Sequence, residues 1–319
     1  MKGFDDRWTD FPDYILGITR EIWEERGLGA RMRDYYHPEV IVRTPGGVSH
    51  GEPAATWATM ATLTEFPDRQ LLGEDVIWCG DDEAGYLSSH RILSTATHAG
   101  DGAFGPATGR RVTWRAIADC WAAEGQIADE WLIRDNGALV RQLGHHPRDW
   151  AAAEIAAGRG GAPFTPETDV TGPYTGRGTE DETGERYADL LTRLMDAEFS
   201  VIPEEWDRAC HLCYPGGVEA HGHAAADSFW LGLRAAFPSA DFTIHHQIGR
   251  EDPMMPPRAA IRWSLDGLHI GWGAFGAPTG AEVHVMGIAH AEFGPWGLRR
   301  EWVLFDETAV WKQILMAAG

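Results

Sequence analysis

Histidine, arginine and carboxylate residues recur in this chain at a constant spacing. His50 and His221, Arg91 and Arg262, His98 and His269, Glu130 and Glu301, and Asp135 and Asp306 each stand 171 positions apart. Together these side chains suit proton transfer near neutral pH, because imidazole titrates there and a neighbouring carboxylate fixes its tautomer. An arginine adds a cation able to hold a developing enolate or phenolate. The candidate catalytic set is therefore His50, Arg91, His98, Glu130 and Asp135 in the first half, and Tyr214, His221, His269, His290 and Glu301 in the second. Tyr214 and His290 enter as polar differences, standing where the first half has Thr44 and Asp119. A structural reading stands beside the chemical one, since internal agreement preserves fold as readily as chemistry. His98 and His269 also suit hairpin closures, and Asp135 and Asp306 suit strand ends.

The same offset carries landmarks with no chemistry of their own. His50-Gly51 falls on His221-Gly222, Phe66-Pro67 on Phe237-Pro238, Thr108-Gly109 on Thr279-Gly280, Trp131 on Trp302 and Gln142 on Gln313. One upstream gap brings Pro45-Gly46-Gly47-Val48 onto Pro215-Gly216-Gly217-Val218. The period is far too long for a solenoid, whose units run about 20–50 residues, so each copy is a domain with its own core. The expected division is 1–144, a Gly- and Pro-rich linker over 145–184 with one short helix at 149–157, and 185–319. Each copy reads as an amphipathic helix (13–25; 185–199), a short helix or turn, and a helix after His-Gly that stops before Phe-Pro, where proline ends it. Strand-like stretches follow at 70–78, 84–97, 111–122 and 126–135, and at 241–250, 258–265, 282–293 and 298–305. Helices followed by hairpin-connected strands predict α+β, with helices on one face of a curved antiparallel sheet.

Three stretches of the first copy carry a family resemblance: Ala107-Thr108-Gly109-Arg110-Arg111-Val112-Thr113-Trp114-Arg115, Glu124-Gly125-Gln126-Ile127-Ala128-Asp129-Glu130-Trp131, and Leu139-Val140-Arg141-Gln142-Leu143-Gly144. They resemble the carboxy-terminal half of SnoaL-like polyketide cyclases, members of the NTF2-like (nuclear transport factor 2) superfamily. The resemblance implies two tandem cone-shaped α+β barrels, each with helices and a strongly bent sheet around one apolar pocket, arranged as an intramolecular pseudo-dimer. It also implies a small hydrophobic, aromatic or polyketide-like substrate and no cofactor. The family's fold is better specified than its reaction, which spans cyclases, isomerases, dehydratases and lyases alongside non-catalytic binding proteins. Steroid isomerases of the superfamily place a base just before the proline of the segment matching Pro45-Gly46-Gly47, where this chain has Thr44 and Tyr214. Their frequent strand carboxylate falls at Ala118 and Ala289, one residue from Asp119 and His290, and one residue on a strand reverses the face. A steroid-isomerase mechanism is disfavoured.

Composition narrows the partners. A formal net charge of −21 disfavours nucleic acid and anionic membrane surfaces. No apolar run approaches the roughly 20 residues that span a bilayer, and the start lacks a signal peptide's blocks, so a soluble cytoplasmic protein is expected. The four cysteines are expected as free thiols. Histidines concentrate in the second copy without a helical i,i+4 His pair, and no metal is assigned. The absence of a Walker loop disfavours P-loop nucleotide binding. The expected activity is cofactor-independent acid–base chemistry of the lyase, dehydratase, isomerase or cyclase kind in an enclosed pocket. A non-catalytic binding protein or scaffold subunit is the alternative, and further homo-oligomerisation stays open.

Overall fold

Asp10 starts the first helix by accepting a hydrogen bond from the Asp13 amide at 2.8 Å, while Pro12 sits in the first turn, where its missing N–H has no partner to lose. The structure is a computed structural model and describes residues 1–159 and 161–317. Two units separate: 1–134, 138–145 and 164–175 form the first, and 135–137, 146–163 and 176–319 the second.

In the first unit, helices α1 (Phe11–Trp23) and α2 (Ala30–Tyr35) lead into β1 (Tyr36–Thr44) and β2 (Gly47–His50). Gly51, at a φ of 83° that favours glycine, then turns the chain into α3 (Glu52–Glu65). Four long strands follow, β3 (Gln70–Asp81), β4 (Gly85–Thr97), β5 (Arg111–Ala123) and β6 (Gln126–Arg134), and then α4 (Asn136–Gln142). The sheet order is β2-β1-β6-β5-β4-β3. It is mixed rather than wholly antiparallel, because β1 pairs parallel with β6. No hairpin constrains that pair, since β2 to β5 lie between them in the chain.

After α5 (Pro147–Ala156), the second unit repeats the plan with α6 (Glu182–Met195), α7 (Val201–Glu205), β7 (Trp206–Tyr214), β8 (Val218–His221), α8 (His223–Ala236), β9 (Asp241–Arg250), β10 (Arg258–Leu268), β11 (Glu282–Gly294), β12 (Gly297–Phe305) and α9 (Glu307–Ala317). Its sheet order, β8-β7-β12-β11-β10-β9, repeats the first, with β7 parallel to β12. Register repeats as well: Glu130 pairs with Val42 and Cys120, and Glu301 with Leu212 and Ala291. The expectation of two helix-plus-sheet α+β domains holds, and neither sheet closes into a barrel. The short strands β1, β2, β7 and β8 are additions to the sequence reading, which places only a short helix or turn before Pro-Gly-Gly. Pro38 and flanking charges mask their periodicity. The stretch expected as linker is largely structured: α5 packs on α9 within the second unit, while Phe164 is buried in the first and its amide donates to Pro45 O at 3.1 Å.

The cores differ in continuity. In the second unit the buried apolar side chains form one cluster from Tyr187 to Ile314. In the first they fall into two, one under α1 and one around Phe66, Trp114 and Leu139. The smaller cluster is closed by a polar clasp. Glu65, at the end of α3, accepts the amides of Phe104 at 2.7 Å and Ala103 at 3.2 Å, and its carboxylate lies 3.2 Å from His98 Nε2. His98 Nδ1 meets Thr108 Oγ1 at 3.1 Å. The equivalent His269 keeps its threonine, Thr279 at 3.0 Å, but Ala236 replaces the glutamate, and His269 Nε2 finds no acceptor among the described residues. Glu65→Ala should therefore destabilise the protein by about 3 kcal/mol in urea unfolding, since it strands two amides and an imidazole in the interior. A change below about 0.5 kcal/mol would show that the clasp contributes nothing.

Candidate active site

Strand alternation decides which side chains face the interior of the first unit. On β4 the inward residues include His90 and Ile92, on β5 Ala116, Ala118 and Cys120, and on β6 Glu130, Leu132 and Arg134; with Ile15, Ile18 and Ile22 of α1 they line one cavity of about 70 Å³. Such a space holds a few waters or part of a small ligand. Tyr36 and Arg69 complete the polar lining.

Each polar group there is shaped by burial. Glu130 is buried, and desolvation raises its pKa against the opposing pull of Arg134 and of the Tyr36 hydroxyl, which donates to Oε2 at 3.2 Å. Burial pushes His90 down to about 4, so its imidazole is neutral at pH 7; Nδ1 lies 3.1 Å from Ser88 Oγ. Arg69 is pushed down to about 9 by burial and by nearby Arg134, and still carries its proton at neutral pH. Its guanidinium stacks between Trp23, at 4.3 Å, and Trp114, at 5.0 Å. Nε and Nη2 donate to Ser94 Oγ at 3.2 and 3.0 Å, whereas Nη1 is buried with no protein acceptor among the described residues. A neutral imidazole, a carboxyl biased toward protonation and an unspent guanidinium donor thus converge on one apolar space. The set suits removal of a proton from carbon, its return elsewhere, and support of the oxyanion between.

The second unit places apolar residues at the same positions. Register puts Ile261 where the first unit has His90, opposite Ala289 instead of Ala118. Trp263 replaces Ile92, Phe305 replaces Arg134, and both face Gly287 in the place of Ala116. Glycine is needed there, because a Cβ on residue 287 would lie 2.2 Å from the Trp263 ring. Only the carboxylate survives. Glu301 accepts Tyr214 OH at 2.7 Å, Tyr187 OH at 3.0 Å and Trp230 Nε1–H at 3.3 Å, and burial still raises it to about 7.

The family follows from the sequence of each copy. Residues 14–143 match the SnoaL-like polyketide cyclase family, and residues 184–300 match the SnoaL-like domain. The chain is a tandem pair of SnoaL-like domains. Among curated proteins none matches it. Similar solved structures include AclR from Streptomyces galilaeus, at 21% identity and a TM-score of 0.37 over 42% of this chain and 94% of that one. IdmH from Streptomyces antibioticus stands at 22% and 0.36 over 42% and 97%. A SnoaL-like polyketide cyclase from Agrobacterium tumefaciens stands at 19% and 0.33 over 42% and 98%.

Of the residues expected from sequence, the structure brings Glu130 into the first SnoaL-like domain's cavity and Glu301 and Tyr214 together in the second. The others lie elsewhere. Arg91 is one residue from His90 and so faces away from the cavity, with Nε 2.9 Å from Glu74 Oε2. His290 pairs with Trp302 on the face opposite Glu301. His50 and His221 end the edge strands β2 and β8 and are exposed. His98 and His269 bond the threonines of their hairpins. Asp135 accepts the amides of Gly216 and Gly217, each at 2.9 Å, within the second unit. His90, Arg69, Tyr36 and Arg134 were missed. The inward face of Ala118 was legible in the sequence, and its partner across the ladder is His90.

Two outcomes test the filled interior. Gly287→Ala should cost about 1–3 kcal/mol in chemical unfolding through overpacking against Trp263; a neutral effect would mean the ring has room. Glu301 binds its proton more tightly when folded, from an ordinary 4.5 up to about 7. Its favourable contribution is complete below pH 4.5 and is lost as pH rises to about 7. Glu301→Gln should therefore show a smaller fall in melting temperature than wild type across that window; parallel curves would contradict the shift.

Proposed function

We propose that the first SnoaL-like domain is a cofactor-independent acid–base enzyme of the cyclase kind, acting on a small enolisable molecule of aromatic or polyketide-like character. The observation that supports this reading most is the convergence of His90, Glu130 and the unspent Arg69 Nη1 on one cavity walled by isoleucine and alanine. His90, neutral, takes the proton from the carbon beside a substrate carbonyl. Arg69 donates to the oxygen as charge gathers on it, in a site where low dielectric strengthens that bond. Glu130, which burial biases toward its protonated form and Tyr36 orients, returns a proton to the oxygen formed when the new carbon–carbon bond closes. Lyase and isomerase outcomes use the same groups, and the substrate's own carbonyl spacing selects among them. The second SnoaL-like domain, with Ile261, Trp263 and Phe305 in place of the working groups, serves as a packed structural copy.

Incubation with β-keto aromatic acids and short poly-β-ketones, followed by mass spectrometry, identifies a product. His90→Ala and Glu130→Gln should each lower kcat by about 10²–10⁴-fold, the usual range for a lost acid or base, while Glu301→Gln stays within about twofold. The pH profile of kcat/KM should fall on the acid side near pH 4, where His90 protonates, and on the alkaline side as Glu130 ionises. Folded variants that all turn over at the wild-type rate would overturn the reading and leave a non-catalytic binding domain.

A further inference from the structure

The hairpin β7–β8 carries a group of side chains that the proposed catalytic site does not use. On β7, His211 and Cys213 stand two residues apart and share a face; across the ladder, His211 pairs with His221 and Cys213 with Glu219. The four side chains therefore form a two-by-two array on one side of the sheet. That side is opposite the interior, into which Tyr214 points to reach Glu301. His211 Nε2 lies 3.8 Å from Cys213 Sγ and 3.8 Å from Glu219 Oε2, and the three ligand atoms all lie within 4.8 Å of one another.

We propose that His211, Cys213 and Glu219, with His221 as fourth ligand, form a transition-metal site of zinc type in the second domain. Tetrahedral zinc with Zn–S near 2.3 Å and Zn–N or Zn–O near 2.0–2.2 Å has ligand-to-ligand edges of roughly 3.4–3.6 Å. Two of the observed edges exceed that by a few tenths of an ångström, within reach of small side-chain rotations. The His221 ring stacks on that of His211 at 4.8 Å between centroids, so one rotation about its side-chain torsions turns a nitrogen toward the same point. A thiolate and two imidazoles with one carboxylate favour zinc, cobalt or copper over magnesium or calcium, which prefer all-oxygen sets. The array belongs to the second domain alone: the corresponding residues of the first are Ile41, Arg43, Val48 and His50, where Arg43 pairs with Asp129 and Asp169. A bound ion would tie the edge strand β8 to β7. Because Cys213 must lose its proton to bind, affinity falls with acid.

The test uses the full-length, reduced and chelator-treated protein, titrated with cobalt(II) chloride at pH 7.5. The expected result is one equivalent bound, with a near-ultraviolet thiolate-to-cobalt charge-transfer band and visible bands of tetrahedral intensity, both removed by one equivalent of zinc. Cys213→Ser should abolish the charge-transfer band, and His211→Ala and Glu219→Gln should each weaken binding by more than about tenfold. Cys79→Ser, which touches a thiol outside the array, should leave band and affinity unchanged. Circular dichroism checks folding; should Cys213→Ser unfold, the His211 and Glu219 variants, at half-exposed and exposed positions, carry the test. Absence of the band in the wild-type protein, or affinity unchanged in His211→Ala and Glu219→Gln, would overturn the site and leave the group as a hairpin ion pair.

Discussion

A carboxylate buried on the inner face of the sheet, at one equivalent position in each domain, is the constraint around which both interiors are arranged. Taking an ionised carboxylate out of water costs several kcal/mol unless donors surround it or it holds its proton. The second domain surrounds Glu301 with two phenols and an indole and closes the remaining space with Trp263 and Phe305. The first domain gives Glu130 one phenol, the field of Arg134 and an open cavity. The same residue is thus a sealed core group in one copy and an accessible acid in the other.

That contrast explains why the first core is divided and the second continuous. Replacing Ile261, Trp263, Gly287 and Phe305 by His90, Ile92, Ala116 and Arg134 removes aromatic volume and introduces groups that need partners. The resulting void separates the apolar cluster under α1 from the one around Phe66, Trp114 and Leu139. Incomplete burial is the structural consequence of that void; the Glu65–His98 clasp, which Ala236 rules out at the equivalent position of the second domain, closes the far cluster.

The duplication, the α+β class and the two carboxylates were legible in the sequence because they repeat at a fixed offset. His90 was not, for the same reason: a search for residues shared by both copies discards a histidine whose counterpart is Ile261, and it selects Arg91, whose counterpart Arg262 is also arginine. Apart from Glu130, most of the polar groups lining the first cavity lie among the differences between the copies. Arg69 was hidden in the same way, opposite Ala240. The parallel strand β1 escaped because its partner β6 is distant in sequence and because Pro38 and nearby charges break its alternation. Its inner face nonetheless supplies Tyr36, which donates a hydrogen bond to Glu130.

The central claim is that the first interior is open to a ligand and the second is closed. Isothermal titration calorimetry with benzoylacetate, a small enolisable aromatic acid, tests it directly when wild type is compared with Ala118→Phe, which fills the first cavity. The account predicts a single site per chain that disappears in Ala118→Phe while the protein stays folded. Two equal sites, or a single site unaffected by Ala118→Phe, would contradict it.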